Sequence, residues 1–189
     1  MVRRRLIGSA AALCLALPLG AAAMTFHLDP AKTTVQFTFG ATLHTVNGTV
    51  RAKEGTIRFD PAAGAAEGWV VLDATSAQTG NSRRDRKMHE KTLESRRFPD
   101  ITFTVARISG TINPGGRSEI QLRGTLEMHG TSRPVDLPAT VIVNGEQVTA
   151  TGFLTVPYLE WGLDDPSFLL LRVAKEVRVE IKAAGRLSQ

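Results

Sequence analysis

Strict two-residue alternation of apolar and polar side chains runs through most of this chain. The clearest example covers residues 119–128, where Ile120, Leu122 and Leu126 alternate with charged and polar residues. Successive side chains of a β-strand point to opposite faces, so the pattern predicts strands with one apolar face. The other predicted strands cover residues 33–39, 42–51, 55–60, 69–74, 101–105, 141–143, 147–156, 169–173 and 177–181. The sequence therefore predicts an all-β fold.

The predicted strands are separated by short segments rich in residues that favour turns. These segments lie at 114–116, 130–131, 144–145 and 164–166, and Asn47-Gly48 predicts a bend or bulge inside one strand. About eight strands with one apolar face each suit an antiparallel sandwich or barrel. We favour a lipocalin-like barrel over the sandwich, because closure buries every apolar face and leaves no strand edge.

The first 23 residues have the pattern of a secretory signal peptide. Three arginines at 3–5 precede an apolar run at 6–19, and Ala21-Ala22-Ala23 offers a cleavage site. An uncleaved membrane anchor is the alternative. The mature domain would then be residues 24–189, located in the periplasm or secreted. It would contain no cysteine, because Cys14 lies in the apolar run.

The first testable prediction concerns this cleavage. We expect signal peptidase to cut after Ala23, since the alternating pattern of the barrel begins at Thr25. Amino-terminal sequencing of protein recovered from the cell envelope should therefore begin at Met24. Mature protein that retains Met1 would contradict the prediction.

The charge balance gives little support for nucleic-acid binding. Loss of the arginines at 3–5 lowers the formal net charge from +5 to +2. No basic run is interleaved with aromatic residues, as a nucleic-acid surface would require. The four histidines, His27, His44, His89 and His129, are not spaced as a metal-binding pair. The sequence thus predicts no nucleic-acid partner, no metal site and no cofactor.

One charged segment interrupts the β pattern and predicts a helix at 82–97. Ser82 followed by Asp85 resembles a capping box, and Pro99 should stop the helix. Its apolar stripe is thin and consists mainly of Met88 and Leu93. Such a helix could cap one end of the barrel as a lid, or pack on the barrel as a solvated surface helix.

The same segment raises the question of catalysis. His44, Asp85 and His89 could form an acid–base site if the helix lay beside the second strand. The simpler interpretation is that Asp85 stabilises the helix start and that His44 bonds to a turn. No serine lies on the strand-turn-helix elbow of a hydrolase. We therefore predict no catalytic residue and no enzyme activity.

Several short motifs, in this order along the mature chain, resemble the YceI family. They are residues 43–48 (LHTVNG), 55–61 (GTIRFDP), 73–76 (DATS), 79–81 (TGN), 84–85 (RD), 98–103 (FPDITF), 124–130 (GTLEMHG) and 134–135 (PV). The resemblance implies an exported lipocalin-like barrel that binds polyisoprenoid lipids in its interior, with no established catalysis. Prenyl diphosphates and quinone-type chains are the implied ligands.

The resemblance also assigns roles to individual residues. From periodicity alone the inward aromatic residues would fill a core, whereas the resemblance places them against a ligand. The predicted lipid-contacting residues are Phe37, Phe39, Phe59, Met88, Phe103, Leu126, Met128 and Trp161. The predicted head-group contacts are His44, Arg84, His89 and Tyr158. Tyr158 stands where many family members carry an arginine, which implies a different head group.

Three functions are compatible with the sequence. The leading one is storage or transport of a long isoprenoid, with transient contact with a membrane surface. The second is an interaction subunit of a membrane redox protein, and the third is a lipid-modifying enzyme. The sequence is also compatible with a homodimer.

Overall fold

The alternating segments form nine antiparallel strands in the computed structural model, which describes residues 23–42, 44–61, 63–167 and 172–188. The strands are β1 (Met24–Leu28), β2 (Thr34–Ala41), β3 (His44–Phe59), β4 (Ala65–Gln78), β5 (Asp100–Ser109), β6 (Arg117–Met128), β7 (Thr131–Asn144), β8 (Gln147–Val156) and β9 (Val177–Ser188). They close into one barrel, which confirms the predicted class. The predicted signal peptide lies outside the described residues, apart from Ala23.

The nine strands occupy only eight positions around the barrel, because β1 and β2 share one. β2 pairs with the first half of β3 and with the first half of β9. β1 pairs with the second half of each of these two strands. A short 3-10 turn, Pro30–Lys32, separates β1 from β2, and the Asp29 carboxylate accepts a hydrogen bond from the Ala31 N–H. Pairing of β3 with β4 closes the ring.

The expected bend at Asn47-Gly48 is wrong in position. Both residues lie in regular register with β2, opposite Thr38 and Phe37, so the two predicted strands are one long β3. The bulges occur further along β3, in its pairing with β4 between Thr49 and Glu54. Gly48 is needed for packing and not for a bend or bulge, because a Cβ atom here would lie 2.2 Å from Cζ of Phe37.

Two further strand predictions change in extent. The strand expected at 69–74 is the central part of β4, which runs over 14 residues. The strand expected at 169–173 lies largely outside the described residues, and Val173 forms only an isolated bridge with Ala41.

The predicted helix at 82–97 is also shorter than expected. Helix α1 covers Ser82–Lys87 and continues into a π-helical turn, Met88–Thr92. Its N-cap is Asn81 and not Ser82, because the Asn81 side chain accepts the Arg84 N–H at 3.0 Å. The helix ends before Arg96 because Glu94 adopts a left-handed φ of 43°.

Residues 81–93, which we call the cap segment, lie at one end of the barrel. The segment connects β4 to the neighbouring β5. Lys87 Nζ donates to the carbonyl oxygen of Pro166 at 3.0 Å, in the stretch that follows β8 on the opposite wall. The cap segment therefore reaches across this end of the barrel, which we call the cap end.

The two ends of the barrel are filled differently. The far end is packed by a large cluster that includes Phe59, Ile108 and Val143. The cap end holds a second cluster that includes Leu126, Tyr158 and Trp161. Among the described residues, no helix is long and apolar enough to cross a membrane.

Candidate functional site

The interior of the barrel contains a cavity of about 810 Å³. Its walls are the inward faces of the strands, and its lining includes residues of both ends, such as Phe59 and Leu187 at the far end and Val156 at the cap end. Most lining side chains are aliphatic or aromatic. Ligand pockets have typical volumes of about 300–1,000 Å³. The cavity is therefore large enough for an elongated apolar ligand.

Seven of the eight predicted lipid-contacting residues line this cavity. They are Phe37, Phe39, Phe59, Met88, Phe103, Leu126 and Met128. The eighth residue, Trp161, does not line the cavity. It is buried in the cap-end cluster, and its backbone N–H donates to the Tyr158 carbonyl at 3.2 Å in the turn after β8. Trp161 thus belongs to the packed cluster at the cap end and does not border the cavity. Contact of the other seven with a ligand stays a prediction.

Three of the four predicted head-group residues, His44, Arg84 and Tyr158, also line the cavity, whereas His89 does not. His89 Nε2 lies 2.9 Å from the Ala77 carbonyl and Nδ1 lies 2.8 Å from Ser95 Oγ. Because a carbonyl only accepts, Nε2 carries the proton. His89 therefore anchors the end of the cap segment and lies outside the cavity lining.

The acid–base site considered from the sequence is not assembled. Asp85 accepts hydrogen bonds from the N–H and hydroxyl of Thr79, at the end of β4. His89 is occupied by Ala77 and Ser95, and His44 lies exposed at the start of β3. Among the described residues, no three His, Cys, Asp or Glu side chains are grouped to hold a metal ion.

The charged side chains that line the cavity are all basic within the described part of the chain. They are Arg83, Arg84, Lys87 and Arg172, and no Asp or Glu accompanies them. Three of them come from the cap segment, so the positive charge lies at the cap end. Arg172 was not found from the sequence, because it lies 79 residues beyond the last residue of the cap segment and only the fold brings it to the cap end.

Arg84 has a defined orientation at the cap end. Its Nε donates to the Thr79 hydroxyl at 2.7 Å, and a terminal nitrogen donates to the Thr79 carbonyl at 3.1 Å. The Thr79 hydroxyl in turn donates to Asp85. Thr79 therefore links the side chains of Arg84 and Asp85.

Two hydroxyl groups at the cap end are buried without a hydrogen-bond partner among the described residues, those of Thr92 and Tyr158. Tyr158 is only 4% exposed. Burial raises the pKa of its hydroxyl to about 12, and the negative charge of Asp165 contributes to this increase. The hydroxyl is therefore an uncharged donor at neutral pH.

The raised pKa of Tyr158 leads to a second testable prediction. The native state holds this proton more tightly than the unfolded state, whose tyrosine pKa is about 10. Stability from the protonated hydroxyl is therefore complete below about pH 10 and is lost as the pH rises towards 12. Because Tyr158 is the one tyrosine in the sequence, tyrosinate absorbance reports it alone. Native and urea-unfolded protein that titrate at the same pH would contradict the prediction.

Comparisons with known proteins agree with this architecture. The family model described as a YceI-like domain matches residues 26–184. Protein YceI of Escherichia coli O157:H7 is 31% identical over 103 residues, which are 52% of this chain and 50% of that protein. A UPF0312 protein of Vibrio parahaemolyticus is 23% identical over 149 residues, 76% of this chain and 77% of its own. The chain thus spans about half the length of the first of these relatives.

Solved structures show the same fold at lower identity. BcnA of Burkholderia cenocepacia superposes with a TM-score of 0.67 at 20% identity, covering 86% of this chain and 99% of that chain. A polyisoprenoid-binding domain of Saccharophagus degradans superposes with a TM-score of 0.67 at 17% identity, covering 86% and 98%. At these identities the likeness establishes the fold of the barrel.

Proposed function

Because the chain belongs to the YceI-like domain family, we propose that its barrel binds a long isoprenoid lipid for storage or transport. The observation that carries the proposal is the cavity of about 810 Å³ with almost entirely apolar walls. The polyisoprenoid-binding domain of Saccharophagus degradans, which shares the fold, supports the class of ligand. We assign no catalytic role.

The distribution of charge supports one orientation of the ligand. The far end is lined by apolar residues such as Phe59 and Ile108, while the basic residues lie at the cap end. An isoprenoid tail would therefore point to the far end and its head group to the cap end. His44 and Arg84 then stay head-group candidates, for a prenyl diphosphate or a quinone-type compound.

The energetics favour a long chain over a short one. Burial of one methylene contributes roughly 0.8 kcal/mol, so two isoprene units contribute about 8 kcal/mol. Association costs an estimated 4–15 kcal/mol. A chain of two units would bind marginally, and each further unit adds to the net affinity.

The proposed site of action is the periplasm or the cell exterior, where the predicted signal peptide would direct the protein. A carrier must take its lipid from one surface and release it at another. The basic cap end could make transient contact with an anionic membrane during that exchange.

The direct test is the lipid content of the native protein. Protein purified without detergent is extracted with organic solvent, and the extract is analysed by mass spectrometry beside an extract of the purification buffer. We expect a polyisoprenoid in near-stoichiometric amount. An extract that contains only straight-chain fatty acids, or no lipid, would contradict the proposed function.

A third prediction concerns release of the lipid past the cap segment. Met88 and Leu93 pack against a small cluster formed by Val35, Val50 and Ala77. Replacing both by serine removes this packing and should speed lipid release by about tenfold or more, because the cap segment opens more often. Transfer of a fluorescent isoprenoid analogue to acceptor vesicles measures the rate.

The matched control is the double substitution Arg86→Ser and Lys91→Ser on the exposed side of the same segment. It should release the analogue at the parent rate. Equal rates of lipid release from the parent and the Met88→Ser/Leu93→Ser protein would mean that the segment lies on the surface and does not control release. His89→Ala should also speed release, since His89 links the segment to Ala77 and Ser95.

A further inference from the structure

The cavity ends at the far end of the barrel in a layer of packed apolar side chains. The layer, which we call the far-end layer, consists of Phe59, Ile108, Ile120, Val143, Val148 and Leu187. Each of these residues lines the cavity, and each is at most 9% exposed. They come from β3, β5, β6, β7, β8 and β9, so opposite walls of the barrel contribute to the same packed cluster. The layer therefore spans the interior and closes this end of the cavity.

The aromatic side chains nearer the middle of the barrel are arranged differently. A Cβ atom at Gly48 would lie 2.2 Å from Cζ of Phe37, and one at Gly124 would lie 2.9 Å from Cε2 of Phe103. Each ring thus lies close against a glycine of the neighbouring strand, which keeps it near the wall. Both rings line the cavity and are only partly buried. The walls leave room for a chain at this level, whereas the far-end layer does not.

The connection between β5 and β6 holds the far-end layer in place. Ile112 of this connection packs against the far-end cluster. The Asn113 N–H donates to the buried hydroxyl of Ser118 at 2.8 Å, and the Gly116 carbonyl accepts the N–H of Val143 at 3.1 Å. The far end is therefore a fixed, packed boundary of the cavity.

A fixed boundary has a consequence for chain length. The affinity for an isoprenoid grows with the apolar surface that it buries. A further unit that does not fit above the far-end layer buries no additional surface if it stays outside the barrel. If it enters, it must displace packed side chains, which is unfavourable. Affinity should therefore rise with chain length only until the tail reaches the layer.

We propose that the far-end layer sets the maximum length of the isoprenoid chain, and that Phe59, its largest side chain, is the residue that determines this length. The inference rests on the proposed function, because it requires an isoprenoid tail that points to the far end. It applies to any head group at the cap end.

The test measures the affinity of lipid-free protein for a series of all-trans prenols, from farnesol to decaprenol, that differ by one isoprene unit each. All members share one hydroxyl head group, so only the length of the chain changes. We define the limiting length as that of the longest prenol that binds more tightly than the next shorter one. The parent protein should show a limiting length within the series.

Two substitutions should move the limiting length in opposite directions. Phe59→Ala removes a ring of about the size of one isoprene unit, so it should raise the limiting length by one unit and bind that longer prenol about tenfold more tightly than the parent does. Ala150 lines the cavity, is only partly buried and lies two residues nearer the cap end than Val148. Ala150→Phe should lower the limiting length, while prenols too short to reach it bind as they do to the parent.

Controls on the outer face separate this effect from a general loss of stability. Phe153→Ala removes the same ring from a side chain that is 59% exposed, and Thr149→Phe adds a ring at the exposed residue next to Ala150. Both should keep the limiting length of the parent. Phe59→Leu leaves a smaller gap than Phe59→Ala and should also bind the longer prenol more tightly than the parent. It therefore carries the test if Phe59→Ala does not fold.

The outcomes separate this inference from the function on which it rests. If no prenol binds to the parent protein, the proposed function itself fails. If prenols bind but the affinity rises through the whole series, the far-end layer is not a boundary. A limiting length that stays the same in folded Phe59→Ala or Phe59→Leu protein, or in Ala150→Phe, would also overturn the inference.

Discussion

Replacing Phe103 by aspartate is expected to empty the barrel of lipid and to lower the free energy of unfolding by about 3–5 kcal/mol. Phe103 lines the cavity and packs against both the far-end and the cap-end clusters. The substitution removes that packing and places a carboxylate on the apolar wall. Water that enters with the carboxylate would compete with the isoprenoid chain for the cavity.

Urea unfolding and lipid extraction, carried out on the same preparation, measure the two effects. Trp69→Asp is the matched control, because Trp69 is 48% exposed on β4 and lies opposite Thr56 and Thr104 in the neighbouring strands. It should keep its lipid and lose little stability. Unchanged lipid content and stability in Phe103→Asp would mean that the side chain does not face the interior.

The second large effect is expected at a glycine inside a strand. A Cβ atom at Gly124 would lie 2.1 Å from the Thr104 carbonyl oxygen and 2.9 Å from Cε2 of Phe103. The carbonyl belongs to the paired strand β5 and cannot move without breaking the ladder. Gly124→Ala should therefore lower the free energy of unfolding by about 3 kcal/mol or more.

Gly40→Ala provides the control for this prediction. The nearest atom to a Cβ at Gly40 is the Cβ of Ala174, at an ordinary contact distance of 3.7 Å. Its stability should stay within about 0.5 kcal/mol of the parent. A Gly124→Ala protein that unfolds at the parent's urea concentration would show that the strands can separate here at little cost.

The barrel itself could be predicted because its cause is local. Each strand must place one face inward, and the alternation along residues such as Ile120, Leu122 and Leu126 records this directly. The bend or bulge expected at Asn47-Gly48 was wrong because a glycine in a strand can also be required for packing. Here the glycine makes room for the Phe37 ring on the paired strand, which no local pattern reveals.

The length of the helix also depended on a distant residue. The charge pattern favoured a helix up to Arg97, but Glu94 Oε2 lies 2.7 Å from Nε2 of His129, in the turn between β6 and β7. Both residues have positive φ, and the His129 ring packs on Phe98 at 4.6 Å. These tertiary contacts end the helix early.

The candidate site was predictable in its walls and not in its polar end. Inward aromatic residues such as Phe37 and Phe59 follow from alternation together with the family resemblance. The cap end combines residues of the cap segment with Tyr158 and Arg172, which are far apart in the chain. The missing partner of the Tyr158 hydroxyl is a property of three-dimensional packing and leaves no trace in the sequence.

The central claim is that an isoprenoid tail lies inside the barrel and points to the far end. Photo-crosslinking with a geranylgeranyl analogue that carries a diazirine at its tail tests this most directly, with the labelled peptides identified by mass spectrometry. The account predicts labels on far-end residues such as Phe59, Ile108 and Val143. Labels on the outer face, around the exposed Phe153 or Trp69, would contradict it.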